Sequence, residues 1–224
     1  MEFKISKELI TQIENLIQQN NIVELETILH EIHFADIAEI MNDLDTSEAI
    51  YLFNLLDSEI TAEILLELDE EVRENILRSL SAKEIAEELD ELDTDDAADI
   101  IAELPQSKKA QVISELEDVE HAKDIVDLLR YDENTAGGIM AKELVKVNEN
   151  WNVLTCVKEM RHQAENVTRV HSIYVVDDED RLKGRLSLKD LLTTSSRTPI
   201  NDVYIRKLNY VNVDTEDVEV ARIM

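Results

Sequence analysis

The stretch Glu88–Pro105, ELDELDTDDAADIIAELP, holds eight acids and no Lys or Arg. It still keeps an apolar register in Leu89, Leu92, Ala97, Ala98, Ile100, Ile101 and Leu104, so it reads as part of a fold rather than as a disordered tail. Asp95 and Asp99 are four apart, and on a helix both carboxylates point the same way. Like charges at that spacing weaken an isolated helix slightly. Near a helix N-terminus, Asp95 and Asp96 recover part of that loss through the helix dipole. Such a run attracts cations or a basic partner and repels nucleic acid and anionic lipid headgroups. No nucleophile–base pair, phosphate-binding loop or dinucleotide fingerprint accompanies it, so the sequence points to no enzyme.

The charge is placed unevenly. Residues 1–131 carry 35 acids against 9 Lys and Arg, and residues 132–224 carry 16 against 13. An acidic region is therefore followed by a nearly neutral one. Hydrophobic residues make up 44% of the 224, enough for a packed core. One cysteine, Cys156, excludes an internal disulfide and fits a reducing compartment. The N-terminus lacks the apolar run of a signal peptide, and no apolar window is long enough to span a membrane, so the chain as given is expected to be soluble.

The acidic region repeats. Ile32, Leu44, Leu56, Leu68, Leu80, Leu92, Leu104, Leu116 and Leu128 are spaced by twelve residues. Twelve steps of about 100° do not return to the same face, so one long helix could not use this series. Asp45, Asp57, Asp69, Ser81 and Asp93 follow five of these positions as N-cap candidates, and Pro105 follows another. Asp45 with Glu48 and Ser81 with Glu84 have capping-box spacing. The pattern predicts a stack of helices of about eight to ten residues joined by tight turns, an α-solenoid, with a terminal helix around Lys7–Gln19. His30 and His33, with no Cys or further His nearby, read as capping or packing residues.

From Tyr131 the period changes. Thr135–Met140, TAGGIM, brings the first glycines and marks a junction. Strands are predicted at Leu144–Val147, Ser172–Asp177 and Arg181–Leu188, with helices at Val153–Arg161 and after Ser187. Past Pro199 the pattern restarts: Asn209–Asp214 reads as a strand like the first, and Glu216–Met224 as the following helix.

This β-α-β-β-α order resembles the cystathionine-β-synthase (CBS) domain, whose most specific piece here is Gly184–Asp190, GRLSLKD. In that family the matching hydroxyl and carboxylate, Ser187 and Asp190, can hold an adenosine ribose at a helix start. The same two residues can equally serve as a helix cap. An acidic helical superhelix, then AGG(I/L)M, then CBS modules is similar to the order in MgtE-type magnesium transporters. The fold expected is multidomain, α and α+β: a right-handed N-terminal α-solenoid (1–131), a first CBS module with its leading linker (132–198) and the start of a second (199–224).

The resemblance implies a cytosolic Mg²⁺-sensing region at the cytoplasmic face of the membrane. Mg²⁺ would draw the acidic domain and the CBS modules together and so close a transmembrane pore that this sequence does not contain. Mg²⁺ takes oxygen ligands, keeps several waters and often uses only one or two carboxylates. Carried over residue by residue, Asp95 and Asp99 would form half of one bridge, with the partner carboxylate beyond Met224. Glu63, the backbone carbonyl of Gly138 and Glu216 would form a second. The family often has Asp at the last position, and the longer Glu216 alters the reach but not the charge. ATP is the candidate nucleotide, and a homodimer through the CBS modules is the expected assembly, with no nucleic acid. The alternatives are an adenine-nucleotide-sensing CBS regulator and an α-solenoid scaffold, since the helical part also resembles segments of flagellar rotor switch proteins.

Overall fold

The computed structural model describes residues 5–164, 167, 170 and 172–223. They form two compact units: the first runs up to Leu92 and includes Asp96–Asp127, and the second joins Asp93–Asp95 to the chain from Leu128 onward.

The acidic region is a succession of short helices, α1 (Lys7–Gln18), α2 (Ile22–Leu29), α3 (Phe34–Asp43), α4 (Thr46–Phe53), α5 (Ser58–Glu67), α6 (Glu70–Ser79), α7 (Ala82–Leu89), α8 (Thr94–Glu103), α9 (Gln106–Glu115) and α10 (Val119–Leu128). From α3 to α9 the first residues are 34, 46, 58, 70, 82, 94 and 106, twelve apart. The periodic leucines explain the breaks. Leu44, Leu68 and Leu80 leave their helices in extended backbone and tuck into the core at 8%, 4% and 8% exposure. The next residue then opens a new helix. Asp45 accepts the N–H groups of Ser47 and Glu48, and Ser81 forms a reciprocal capping box with Glu84. Asp57 and Asp69 occupy the cap position without a side-chain cap bond, so only part of the predicted capping is present. His33 caps α3, its Nδ1 accepting from the Ala35 N–H.

Helices pack on their next-but-one neighbours: α3 on α5, α4 on α6, α5 on α7 and α7 on α9. The apolar face of each, such as Ile64 and Leu65 of α5 or Ile85 and Leu89 of α7, is fully enclosed. Three of the few cations serve helix ends. Arg73 donates to the carbonyls of Leu65 and Leu68 at the C-terminus of α5. Lys108 does the same for Leu77 and Leu80 at the end of α6, and Lys109 reaches Ala102 near the end of α8. Positive charge at a helix C-terminus offsets the dipole there, but it leaves most of the unit's acids uncompensated.

The second unit contains β1 (Val145–Asn148), α11 (Val153–Gln163), β2 (Ile173–Val176), β3 (Leu182–Leu186) and α12 (Leu188–Thr193), followed by α13 (Asp217–Ile223). The sheet order is β1-β2-β3, with β1 parallel to β2 through the α11 crossover and β2 antiparallel to β3. One face of the sheet, through Val145, Val147, Ile173, Val175 and Leu186, closes on Val153, Cys156 and Leu191 of the helices. Gly184 admits the chain at Tyr204 and Ile205 across β3, because a Cβ there would strike the Ile205 carbonyl. Arg185 and Ile205 exchange two backbone hydrogen bonds, of 3.0 and 2.9 Å.

The strand expected at Asn209–Asp214 is absent. A strand needs a ladder partner, and among the described residues the strands pair as ladders only with one another, in the order β1-β2-β3. The carbonyls of Val213 and Thr215 instead accept the N–H groups of Gly137 and Ala136. The following helix forms as α13, and Met224 lies outside the described residues.

Candidate functional site

Helix α8 carries the acidic run. Ala97, Ala98, Ile100 and Ile101 are buried, so packing sets the rotation of the helix and leaves Asp95 and Asp96 half-buried and Asp99 exposed. One turn beyond Asp99, Glu103 receives a bidentate pair from Arg73: Nε at 2.9 Å and Nη2 at 2.6 Å. That hydrogen-bonded carboxylate holds Arg73 even more firmly protonated than usual, against the opposing effect of burial, and Glu70 and Asp99 add to it. The negative field of Asp99 thus acts on a cation that α6 supplies. The sequence showed the acids but not this clamp, because Arg73 and Glu103 are thirty residues apart.

A second cluster is built from backbone. Asp132–Gly138 is a tight loop in which Thr135 Oγ1 donates to the Asp132 carbonyl at 2.7 Å and the Gly138 N–H to the Thr135 carbonyl at 3.0 Å. Gly138 is required there, since a Cβ would strike the Asp132 carbonyl oxygen and the Glu133 Cα. Backbone and side-chain N–H groups of Asn134 hold the Asp132 carboxyl below the usual range. The loop is fastened to the residues before α13: Ala136 N–H to the Thr215 carbonyl (2.7 Å), Gly137 N–H to Val213 (2.8 Å) and Asp217 N–H to Asn134 (3.0 Å). Thr135 and Glu216 form an antiparallel bridge. Gly138 and the exposed Glu216 therefore lie on two joined segments of the second unit. Glu63, half-buried on α5, belongs to the first unit.

Ser187 and Asp190 meet at the start of α12. The Asp190 N–H donates to Ser187 Oγ at 3.0 Å, and that hydroxyl donates back to Asp190 Oδ2 at 2.7 Å. The pair caps the helix and satisfies itself. Acids of the β2–β3 hairpin are likewise partnered nearby. Asp178 accepts from Asn148 and Asn150, Asp180 pairs with Lys146 at 2.6 Å, and Asp177 accepts the N–H groups of Glu179 and Arg181. Among the described residues no three His, Cys, Asp or Glu side chains converge to hold a metal ion, and no helix is long and apolar enough to cross a membrane.

A stack of short helices with a twelve-residue period, followed by a small β-α-β-β-α unit, defines the class of the fold, and the comparisons give it a family. Residues 32–134 match the model of the MgtE intracellular N domain, and residues 136–197 match that of the CBS domain. The magnesium transporter MgtE of Thermus thermophilus is 39% identical over 114 residues, covering 47% of this chain and 25% of the relative. That of Enterococcus faecalis is 34% identical over 103 residues, covering 46% and 23%. The matched stretch thus spans a quarter or less of these relatives, which are named as transporters, not enzymes. Among solved structures, the cytosolic domain of the Mg²⁺ channel MgtE in complex with ATP superposes with a TM-score of 0.87 at 31% identity, over 96% of this chain and 88% of that one. The soluble part of a magnesium transporter superposes with a TM-score of 0.78 at 27% identity, over 96% and 85%. The chain belongs to the MgtE family and corresponds to its cytosolic region.

Proposed function

We propose that this chain is the Mg²⁺-sensing regulatory region of an MgtE-type magnesium transporter, at the cytoplasmic face of the membrane. The observation that carries the reading is the surplus of acid in residues 1–131, 35 against 9 Lys and Arg, in a unit where Arg73, Lys108 and Lys109 are drawn to helix-end carbonyls. Such a unit repels itself and other acidic surfaces unless cations intervene. Mg²⁺ would bridge the helical domain, residues 1–131, to the first CBS module, 132–198, and the start of the second, 199–224. Asp95 and Asp99 would supply one half-bridge; Glu63, the Gly138 carbonyl and Glu216 would supply another. The fastened Gly138 loop and the bridge to Glu216 support the second, because two of its three members are already held together. The bridged state would close the pore of the transporter's own transmembrane domain.

The experiment is small-angle scattering with limited proteolysis across a Mg²⁺ titration into the millimolar range. Mg²⁺ should reduce the radius of gyration and slow cleavage between the units, whereas matched ionic strength from KCl should do neither. Identical behaviour in Mg²⁺ and in chelator would sink the reading.

Because a structural relative is described in complex with ATP, Ser187 and Asp190 are proposed to meet a nucleotide ribose, with the Ser187–Asp190 bond opening or being shared. Calorimetry with ATP should show heat that Asp190→Ala abolishes; unchanged binding in that variant would move the site elsewhere. Assembly is proposed as a homodimer through the CBS modules, which sedimentation would test.

A further inference from the structure

Thr61 is 1% exposed and sits on the face of α5 that meets α7. Its hydroxyl oxygen lies 2.5 Å from Glu88 Oε2, 3.2 Å from the carbonyl oxygen of Asp57 and 3.4 Å from that of Ser58. A threonine hydroxyl has one proton to give. When Glu88 is ionised, the carboxylate and the two carbonyls compete for that proton, and one bond satisfies the whole group. When Glu88 is protonated, its O–H donates to Thr61 Oγ1, and the Thr61 hydroxyl then donates to the Asp57 carbonyl. The neutral form makes two hydrogen bonds where the ionised form makes one.

The surroundings push in the same direction. The Glu88 carboxyl is pushed up to about 7, by burial above all and by the negative charges of Glu87 and Glu91, against the opposing Thr61 hydrogen bond. From α5, the acids Glu59 and Glu63 stand two residues either side of Thr61, on other faces of that helix. From α9, which also packs on α7, Lys108 acts on Glu84 and Glu115 acts on Lys83. The charged groups acting on Glu88 itself are the two glutamates.

We propose that Thr61 and Glu88 form a proton-binding site that ties α5 to α7, so that the helical unit holds a proton when folded and loosens as that proton leaves. This goes beyond the Mg²⁺ reading and does not depend on it. A carboxyl whose folded affinity for the proton exceeds its unfolded affinity contributes stability that is full below the unfolded value. That stability is lost as pH rises through the folded value. The window here lies between 4.5 and about 7.

The test is a carbon-detected NMR titration of the Glu88 carboxyl in the whole chain, with thermal melts of wild type and Glu88→Gln. The carboxyl carbon should titrate near 7, well away from the acids at the surface. Raising pH from about 5.5 to about 8 should lower the wild-type midpoint by about 5 °C more than that of Glu88→Gln, which mimics the protonated form. A Glu88 titration near 4.5, or parallel pH profiles for the two proteins, would overturn the proposal. Should Glu88→Gln fail to fold, the wild-type NMR titration alone decides.

Discussion

The helical unit and the sheet unit treat charge in opposite ways. In the sheet unit, acids and bases are interleaved and neighbours satisfy one another: Asp180 with Lys146, Asp178 with two asparagines, Asp190 with Ser187. In the helical unit several of the few cations go to backbone carbonyls, where Arg73 and Lys108 close α5 and α6, and the ion pairs Arg73–Glu103, Arg78–Glu74 and Lys83–Glu87 neutralise only a few of its acids. Each unit thereby satisfies its backbone, but only the helical one is left with a net field. The contrast teaches that local satisfaction and global charge balance are separate requirements. A fold can meet the first while leaving the second to an external ion.

Five changes would break or sharpen that contrast. The largest effect is expected from Gly138→Ala in the sheet unit, which drives a Cβ into backbone at Asp132 and Glu133. It should cost roughly 3 kcal/mol, and hydrogen exchange should rise at residues 213–217 while α3–α7 are undisturbed. Arg73→Gln in the helical unit comes next, because it removes the pair with Glu103 and two helix-end bonds at once. A loss of about 2–3 kcal/mol is expected by denaturant melt, and a loss under about 0.5 kcal/mol would mean that the clamp is decorative. Ser81→Ala should cost about 1 kcal/mol, whereas Asp69→Ala, which removes no side-chain cap bond, should stay within about 0.5 kcal/mol. Equal losses would show that the charge of Asp69 at the helix start matters as much as a hydrogen bond. Smallest is the effect of salt. Raising NaCl should slow amide exchange in α3–α9 and leave β1–β3 unchanged, and a uniform response would erase the distinction between the units.

Much of the helical unit was legible in the sequence. The twelve-residue period is a local rule, since each leucine must leave one helix and each following cap must start the next. It therefore appears directly in residue order. Capping was only half legible, because residue type shows that Asp57 and Asp69 can cap but not whether their side chains make the cap bond. In the sheet unit the order of strands and helices was readable, and β1 falls one residue later than expected, at Val145–Asn148. The misjudged strand at Asn209–Asp214 has the right composition, but pairing depends on a neighbour that composition does not reveal. The candidate site divides along the same line. Asp95 and Asp99 stand out in sequence, whereas the Arg73 clamp and the Thr61–Glu88 pair arise from contacts between distant helices. Half-burial of Glu88 has no local signature, since an acid among acids looks solvated.

The fixed helix spacing has a further consequence, for how this unit assembles. The longer-range side-chain bonds between its helices join residues 27 to 31 apart: Thr61 with Glu88, Asn42 with Asp69, Arg73 with Glu103, Lys108 with Leu77. Each is reached once the next pair of helices has formed, so no long loop must close before the contacts reward it. Such a chain zips rather than condenses, and nucleation in the middle would propagate toward both ends. The sheet unit lacks that freedom, because β1 must wait for α11 to carry the chain back before β2 can pair with it. Folding of the whole region should therefore show a fast, local phase in the helices and a slower one set by the crossover.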